Sequence, residues 1–162
     1  MSIRLIDHRD ARYIQKLASS EHISKTTNVP YPYPQNGGSD FINFAFSSYE
    51  TRKSMPFAIE IDKTFVGIVT IHGLKETPSI DYWIGYPYWG KGFASHAVKE
   101  ALDYGLSFLD ITIFQSKALV SNKASHKVLL KNGFTKVGEE DYSGPKKSHI
   151  GKKLIIFQTK KC

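Results

Sequence analysis

Hydrophobic positions along this chain change their period several times, and each change marks an element. Between Ser79 and Tyr86 apolar and aromatic residues crowd together (Ile80, Tyr82, Trp83, Ile84, Tyr86), which predicts a buried strand that Pro87 ends. From Phe93 onward the apolar positions recur at helical spacing, through Ala94, Ala97, Val98, Ala101, Leu102, Leu106 and Leu109. Between the two, Gly90 and Gly92 bracket Lys91, so the backbone can turn sharply there and come close to a ligand. A strand that feeds a glycine turn at a helix N-terminus is an anion site, because unpaired N–H groups and the positive end of the helix dipole face whatever sits there. A pyrophosphate suits this corner.

The remaining pattern places other elements around that unit. Ile3 and Leu5 predict a short first strand, and Asp7 or Asp10 then caps a helix that carries Ala11, Ile14, Leu17 and Ala18 on one face. His22 to Gln35, rich in Thr, Asn, Pro and Tyr, reads mostly as a long loop with at most a helical turn. Loops of that length are commonly functional; either Tyr31 and Tyr33 line an acceptor pocket, or the prolines brace a surface loop. Ser39 or Asp40 caps a second helix with Phe41, Phe44, Ala45 and Ser48 on one face. Phe57 to Ile61 and Phe65 to Ile71 predict a hairpin turned by Asp62-Lys63-Thr64, with Gly67 marking a bulge or a close approach. After the central helix come a strand over Ile111 to Val120, a short helix over Lys123 to Lys131, and a strand over Phe134 to Glu140. A basic, turn-rich loop over Asp141 to Ser148 precedes a closing strand over Ile150 to Thr159. The order βααβββαβαββ predicts an α+β, or mixed α/β, layer fold in a single domain spanning residues 1–162.

Composition narrows the classes. At 162 residues, with 41% hydrophobic and 23% charged content, the chain has the make-up of one soluble domain with a sizeable core. No apolar run approaches the roughly 20 residues that span a bilayer, and the first ten residues lack the apolar core of a signal peptide. The cytoplasm is the expected location, with no membrane partner. The lone Cys162 permits no internal disulfide, and no Cys/His cluster has metal-ligand spacing, so no metal is expected. Net charge is +7, but the lysines are spread along the chain, which argues against nucleic acid and suits a multiply phosphorylated small molecule.

Two phosphate-binding readings compete for the glycine corner. Gly85 to Lys91 fits the first seven positions of a P-loop, yet the next residue is Gly92 where Ser or Thr must hold magnesium, and the intervening Tyr86-Pro87-Tyr88-Trp89 is bulky. A coenzyme A site is the better reading. Tyr88-Trp89-Gly90-Lys91-Gly92-Phe93-Ala94 resembles the pyrophosphate loop of GNAT-superfamily acetyltransferases, above all the RimJ/RimL-like branch that acetylates ribosomal-protein N-termini. Asn122-Lys123-Ala124-Ser125 followed by Lys131-Asn132-Gly133-Phe134 is similar to that branch's N-x-x-S … K-x-G-F element. Val29 to Tyr33 resembles its substrate-side loop, and Phe57-Ala58-Ile59 with Val66-Gly67 its first hairpin, so the likeness covers nearly the whole chain.

The resemblance implies a mostly antiparallel twisted sheet of about seven strands, flanked by about four helices and splayed between strands four and five. It implies an N-acetyltransferase, an acyltransferase that uses acetyl-CoA and an amine acceptor, either a protein N-terminus or a small molecule, as a monomer or homodimer. Main-chain N–H groups of Trp89, Gly90, Lys91, Gly92, Phe93 and Ala94 would hold the pyrophosphate, and Trp83, Ile84 and Gly85 would offer main-chain groups to the pantetheine arm and carbonyl. One such N–H donor is commonly worth ~2.7–4 kcal/mol. Asn122 resembles the asparagine that binds the pantetheine arm and can also cap the helix after it. Ser125 resembles the serine beside the thioester sulfur; many relatives use a tyrosine one turn later, where this chain has Leu129. The family's glutamate on the fourth strand falls at Ser79, so Asp81, on the same face, is the first candidate base. Glu139 and Glu140 come second, and His72 and His126 behind them. The family's glutamine or arginine before the first glycine is Pro87 here.

Without a committed base an α-amine is the easier acceptor. At pH 7 an amine of pKa ~7.7–8.0 is neutral roughly a tenth of the time, a lysine amine of pKa ~10.4 about once in 2,500. The other reading of the same fold is a catalytically weak acyl-CoA-binding or regulatory module.

Overall fold

A computed structural model describes residues 1–162. Its sheet is built around β3 (Thr64–His72), whose residues from Phe65 to Ile71 are all buried because helices cover both faces. β2 (Ser54–Ile61) pairs with it through a two-residue turn, Asp62-Lys63, both residues with positive φ (47° and 64°). The expected bulge is present: the register slips between Ile59 and Glu60, opposite Gly67. Gly67 is also a close approach, since a Cβ there would lie 2.2 Å from the Trp83 carbonyl oxygen.

With β1 (Ser2–Leu5), β4 (Ser79–Ile84), β5 (Ile113–Leu119), β6 (Thr135–Asp141) and β7 (Lys153–Lys160), the sheet has seven strands in the order β1-β2-β3-β4-β5-β7-β6. Every pairing is antiparallel except β4 with β5, which run parallel and meet at a single pair, Ser79 with Gln115. The sheet is therefore split lengthwise, as the resemblance implied.

Five helices flank it, one more than expected: α1 (Ala11–Ala18), α2 (Glu21–Thr26), α3 (Gly37–Thr51), α4 (Phe93–Leu109) and α5 (Lys123–Lys131). The extra one, α2, lies in the segment that the pattern predicts as mostly loop. On one face α4 and α5 pack Ala97, Val98, Ala101, Leu102 and Leu129 against Phe57, Ile71, Ile80 and Phe114. On the other, Ile14, Ala18, Ile42 and Ala45 of α1 and α3 pack against Ala58, Phe65 and Ile68. The alternation of Phe57 and Ala58 between the two cores is the two-residue period of a strand.

Two helix starts are made differently than local spacing suggests. Asp7 caps a short 3-10 turn over His8–Asp10, and Asp10 stands at the N-cap position of α1 as expected, but its side chain is buried and ion-paired to Arg4 at 2.8 Å instead of bonding the helix. α3 begins at Gly37 with Asn36 as its cap residue, so Ser39 and Asp40 lie inside its first turn. Its Gly38 N–H is satisfied by Gln15 Oε1 of α1 at 2.9 Å, a long-range partner that local spacing does not reveal.

Candidate active site

The glycine corner is built as an anion cradle. After β4 the chain makes a 3-10 turn over Tyr86–Tyr88, and Gly90 and Gly92 take φ of 76° and 78°. These left-handed values cost an L side chain about 1–2 kcal/mol. The N–H groups of Gly90, Lys91, Gly92, Phe93, Ala94 and Ser95 have no hydrogen-bond partner; the first helical bond runs from His96 N–H to Gly92 O at 3.2 Å. A Cβ added at Gly90 or Gly92 would meet nothing within 4 Å, so the space before these amides is open. The Trp89 N–H, expected in this row, donates instead to Tyr86 O at 3.2 Å, and Ser95 takes the sixth place.

The corner opens into a cavity of about 900 Å³ that passes through the split between β4 and β5. Gly85 N–H donates to Val66 O at 2.7 Å, which fixes the alternation along β4: Trp83 and Asp81 bond toward β3, and the N–H groups of Tyr82 and Ile84 face the gap. The expectation that Trp83 and Gly85 offer main-chain groups is corrected on this ground; Gly85 lies outside the cleft, while the Trp83 side chain lines it. At the closed end of the gap Ser116 Oγ donates to Ile80 O at 2.8 Å. Trp89 Nε1 takes the Ile84 carbonyl at 2.6 Å, fastening the corner to the strand.

On the α4/α5 side, Asn122 Oδ1 accepts from Ser125 N–H at 3.2 Å and so caps α5, while the residue lines the cleft. Ser125 Oγ lies 2.7 Å from the Tyr82 hydroxyl, which reaches it across the gap. Burial pushes the Tyr82 hydroxyl up to about 12, with the Ser125 bond pulling the other way, so the phenol holds its proton at neutral pH. Lys91, Lys123 and Lys127 line this side without carboxylate partners. Leu129 is fully buried in the core.

On the opposite face of β4, Asp81 Oδ2 lies 2.7 Å from His72 Nε2, and His72 Nδ1 lies 3.2 Å from Ser54 Oγ. The Asp81 side chain is 70% exposed, and both it and His72 line the cleft. Burial lowers the His72 pKa, yet the hydrogen bond and charge of Asp81 outweigh it and the net shift is upward.

Several expected site residues stand elsewhere. Glu139 on β6 is exposed, pairs with Lys136 at 2.5 Å and does not line the cleft; Glu140 pairs with Lys117 at 2.6 Å. His126 reaches back to Leu119 O at 3.0 Å and packs on Phe157. Tyr31 is exposed and Tyr33 packs beside Gly37 against the α1/α3 core, so neither lines the cleft; Val29 does. The residues missed from the sequence are Tyr82, Ser116 and the β6–β7 loop. The parity of β4, with Tyr82 opposite in face to Asp81, was the available signal for the first.

Residues 1–135 match the family model described as "Acetyltransferase (GNAT) domain", and the chain belongs to that family. The uncharacterized N-acetyltransferase YoaA of Bacillus subtilis strain 168 is 26% identical over 84% of this chain and 80% of its own length. The structure of RimL, a ribosomal L7/L12 alpha-N-protein acetyltransferase solved with coenzyme A, superposes with a TM-score of 0.87 at 16% identity, covering 98% of this chain and 93% of RimL. A Vibrio cholerae spermidine N-acetyltransferase solved with CoA and spermine gives 0.83 at 17%, covering 99% and 95%. The fold is thus that of the GNAT N-acetyltransferases. No helix is long and apolar enough to cross a membrane.

Proposed function

We propose that this chain transfers the acetyl group of acetyl-CoA directly to a primary amine, a protein N-terminal α-amine or a small amine, with both substrates bound together. The observation that carries the reading is the row of unpaired N–H groups from Gly90 to Ser95 at the mouth of a split sheet. Those amides suit a diphosphate, and Lys91, Lys123 and Lys127 supply counter-charge beside them. Bound acetyl-CoA brings the acetyl group as an activated thioester.

The N–H groups of Tyr82 and Ile84 continue the line of donors along the gap and can hold amide groups of the arm or polarise the acetyl carbonyl. On the far face Asp81 accepts a hydrogen bond from the incoming amine and takes its proton, with His72 as the next site. On the near face Ser125 Oγ holds a proton for the departing sulfur, a thiolate of intrinsic pKa ~8.5, and Tyr82 resupplies Ser125. Carbon–sulfur cleavage is then matched by carbon–nitrogen bond formation, and a proton is handled on each face.

Calorimetric titration with CoA, followed by thiol release from acetyl-CoA over an amine and peptide panel, tests the reading. Saturable CoA binding with amine-dependent release is expected. Binding without release on any acceptor would reduce the chain to an acyl-CoA-binding module.

A further inference from the structure

The fold leaves the acceptor open, since one structure that shares it acts on a ribosomal protein and another on spermidine. The lining of the acceptor side narrows the choice. We propose that the acceptor is a single primary amine on an apolar body, and that Lys146 enforces the single charge by filling the oxygen cluster beside the cleft that would hold a second ammonium. This rests on the transfer reading above and names its substrate class.

Between α2, α3 and the sheet the cleft wall is formed by Ile23, Val29, Phe41, Phe44, Ile68 and Leu154. Asp81 is the sole carboxylate that lines the cavity; of the lysines that line it, Lys91, Lys123 and Lys127 stand on the coenzyme side and Lys117 is paired with Glu140. One ammonium is matched by Asp81; a second or third on the same molecule meets the apolar wall.

One group of oxygens near the rim does have the arrangement an ammonium needs. Ser24 Oγ, the Ser24 carbonyl, and the carbonyls of Thr27 and Val29 converge where α2 ends. Lys146 Nζ lies within hydrogen-bond reach of all four, at 2.6 Å from Ser24 Oγ and 3.1 Å from both Thr27 O and Val29 O, with its three N–H donors shared among them. The loop that carries it is tied down on either side. Tyr142 donates to Asn28 Oδ1 at 2.6 Å, and His149 Nε2 lies 3.2 Å from Lys25 O. Asn28, Tyr142 and His149 line the cleft, so this self-filled cluster borders the acceptor side.

The test compares 2-phenylethylamine with spermidine at saturating acetyl-CoA, read as kcat/KM for thiol release. The wild-type chain should favour 2-phenylethylamine by about tenfold or more, the range a mismatch in pocket chemistry produces. Phe44→Glu, at a partly exposed wall position, adds a second carboxylate, and Lys146→Met empties the oxygen cluster; each should narrow the ratio by about fivefold or more. Equal or better use of spermidine by the wild type, or an unchanged ratio in Lys146→Met, overturns the inference while leaving acetyl transfer standing. If neither amine is acetylated although CoA binds, the amine assignment itself falls; if CoA does not bind, the transfer reading falls.

Discussion

The two sides of the split sheet are made of different material. The α4/α5 side presents main chain to a ligand: unpaired amides over Gly90–Ser95 and the N–H groups of β4 that face the gap. The α2/α3 side is made of side chains, among them Asp81 with His72 beside it, Phe44, and a loop secured by Lys146. A backbone site is set by conformation and tolerates changes in side-chain identity. That is how Pro87 can stand where the resemblance implies a glutamine or arginine while the cradle keeps its shape. A side-chain site has no such tolerance, and there the fourth strand carries Ser79 where the resemblance implies a glutamate, with Asp81 two residues on.

The strongest way to break this contrast is to attack the backbone side. Gly92→Leu should weaken CoA binding about 100-fold, roughly 2.8 kcal/mol at 1.4 kcal/mol per decade. The Leu side chain fills the open cradle and favours a different φ, yet its Cβ clashes with nothing, so the fold should persist in circular dichroism. Unchanged affinity by calorimetry would remove the corner from coenzyme binding.

Next in size are substitutions that leave that binding intact. Tyr82→Phe and Ser125→Ala should each cut turnover about 10- to 100-fold, toward the low end of a general-acid contribution, with CoA affinity unchanged. If the two hydroxyls act as one relay, the double variant should be barely worse than either single one; multiplicative losses would separate them. Asp81→Asn should lower kcat/KM for the amine about tenfold without altering CoA affinity, and equal loss of both would refute the division between faces.

How far the sequence disclosed these two sides follows from the same contrast. Gly90 and Gly92 are visible because a left-handed backbone leaves glycine as its signature, and the helix after them because its apolar stripe has a period. The strands of the hairpin and the parity of β4 were legible for that reason too. The start of α3 was not, since Gln15 on another helix satisfies it, nor was α2, whose six residues carry too little periodicity. The acceptor face is assembled from distant segments, Ser24 to Val29, Phe44, His72 to Asp81, and Tyr142 to His149. No local spacing announces that they meet. Tyr31 and Tyr33 had the right chemistry in the right loop, but Tyr33 is spent on packing and Tyr31 faces solvent.

The smallest expected effect concerns pH and again differs across the molecule. Burial lowers the pKa of His149, first of its causes, with Lys146 adding to it. The stability it contributes is complete above about 6.5 and is lost as pH falls through its lower folded value. His72 works oppositely: its pKa is raised, so its contribution is complete below about 6.5 and fades as pH rises through the folded value. Melting temperature followed from pH 8 to 5 should fall less steeply in His149→Gln, by a few degrees, and more steeply in His72→Gln. Parallel curves for all three proteins would show that neither imidazole is linked to folding.

The single β4–β5 pair makes this sheet two smaller ones, β1 to β4 and β5 to β7, leaning on a common helix. Any guest that threads the seam and hydrogen-bonds to its edge stitches the halves into one cooperative unit. Ligand and architecture are then inseparable: at a hundred times its dissociation constant such a guest adds about 2.7 kcal/mol to the folded state, and amide exchange along Tyr82 and Ile84 should slow when the seam is closed.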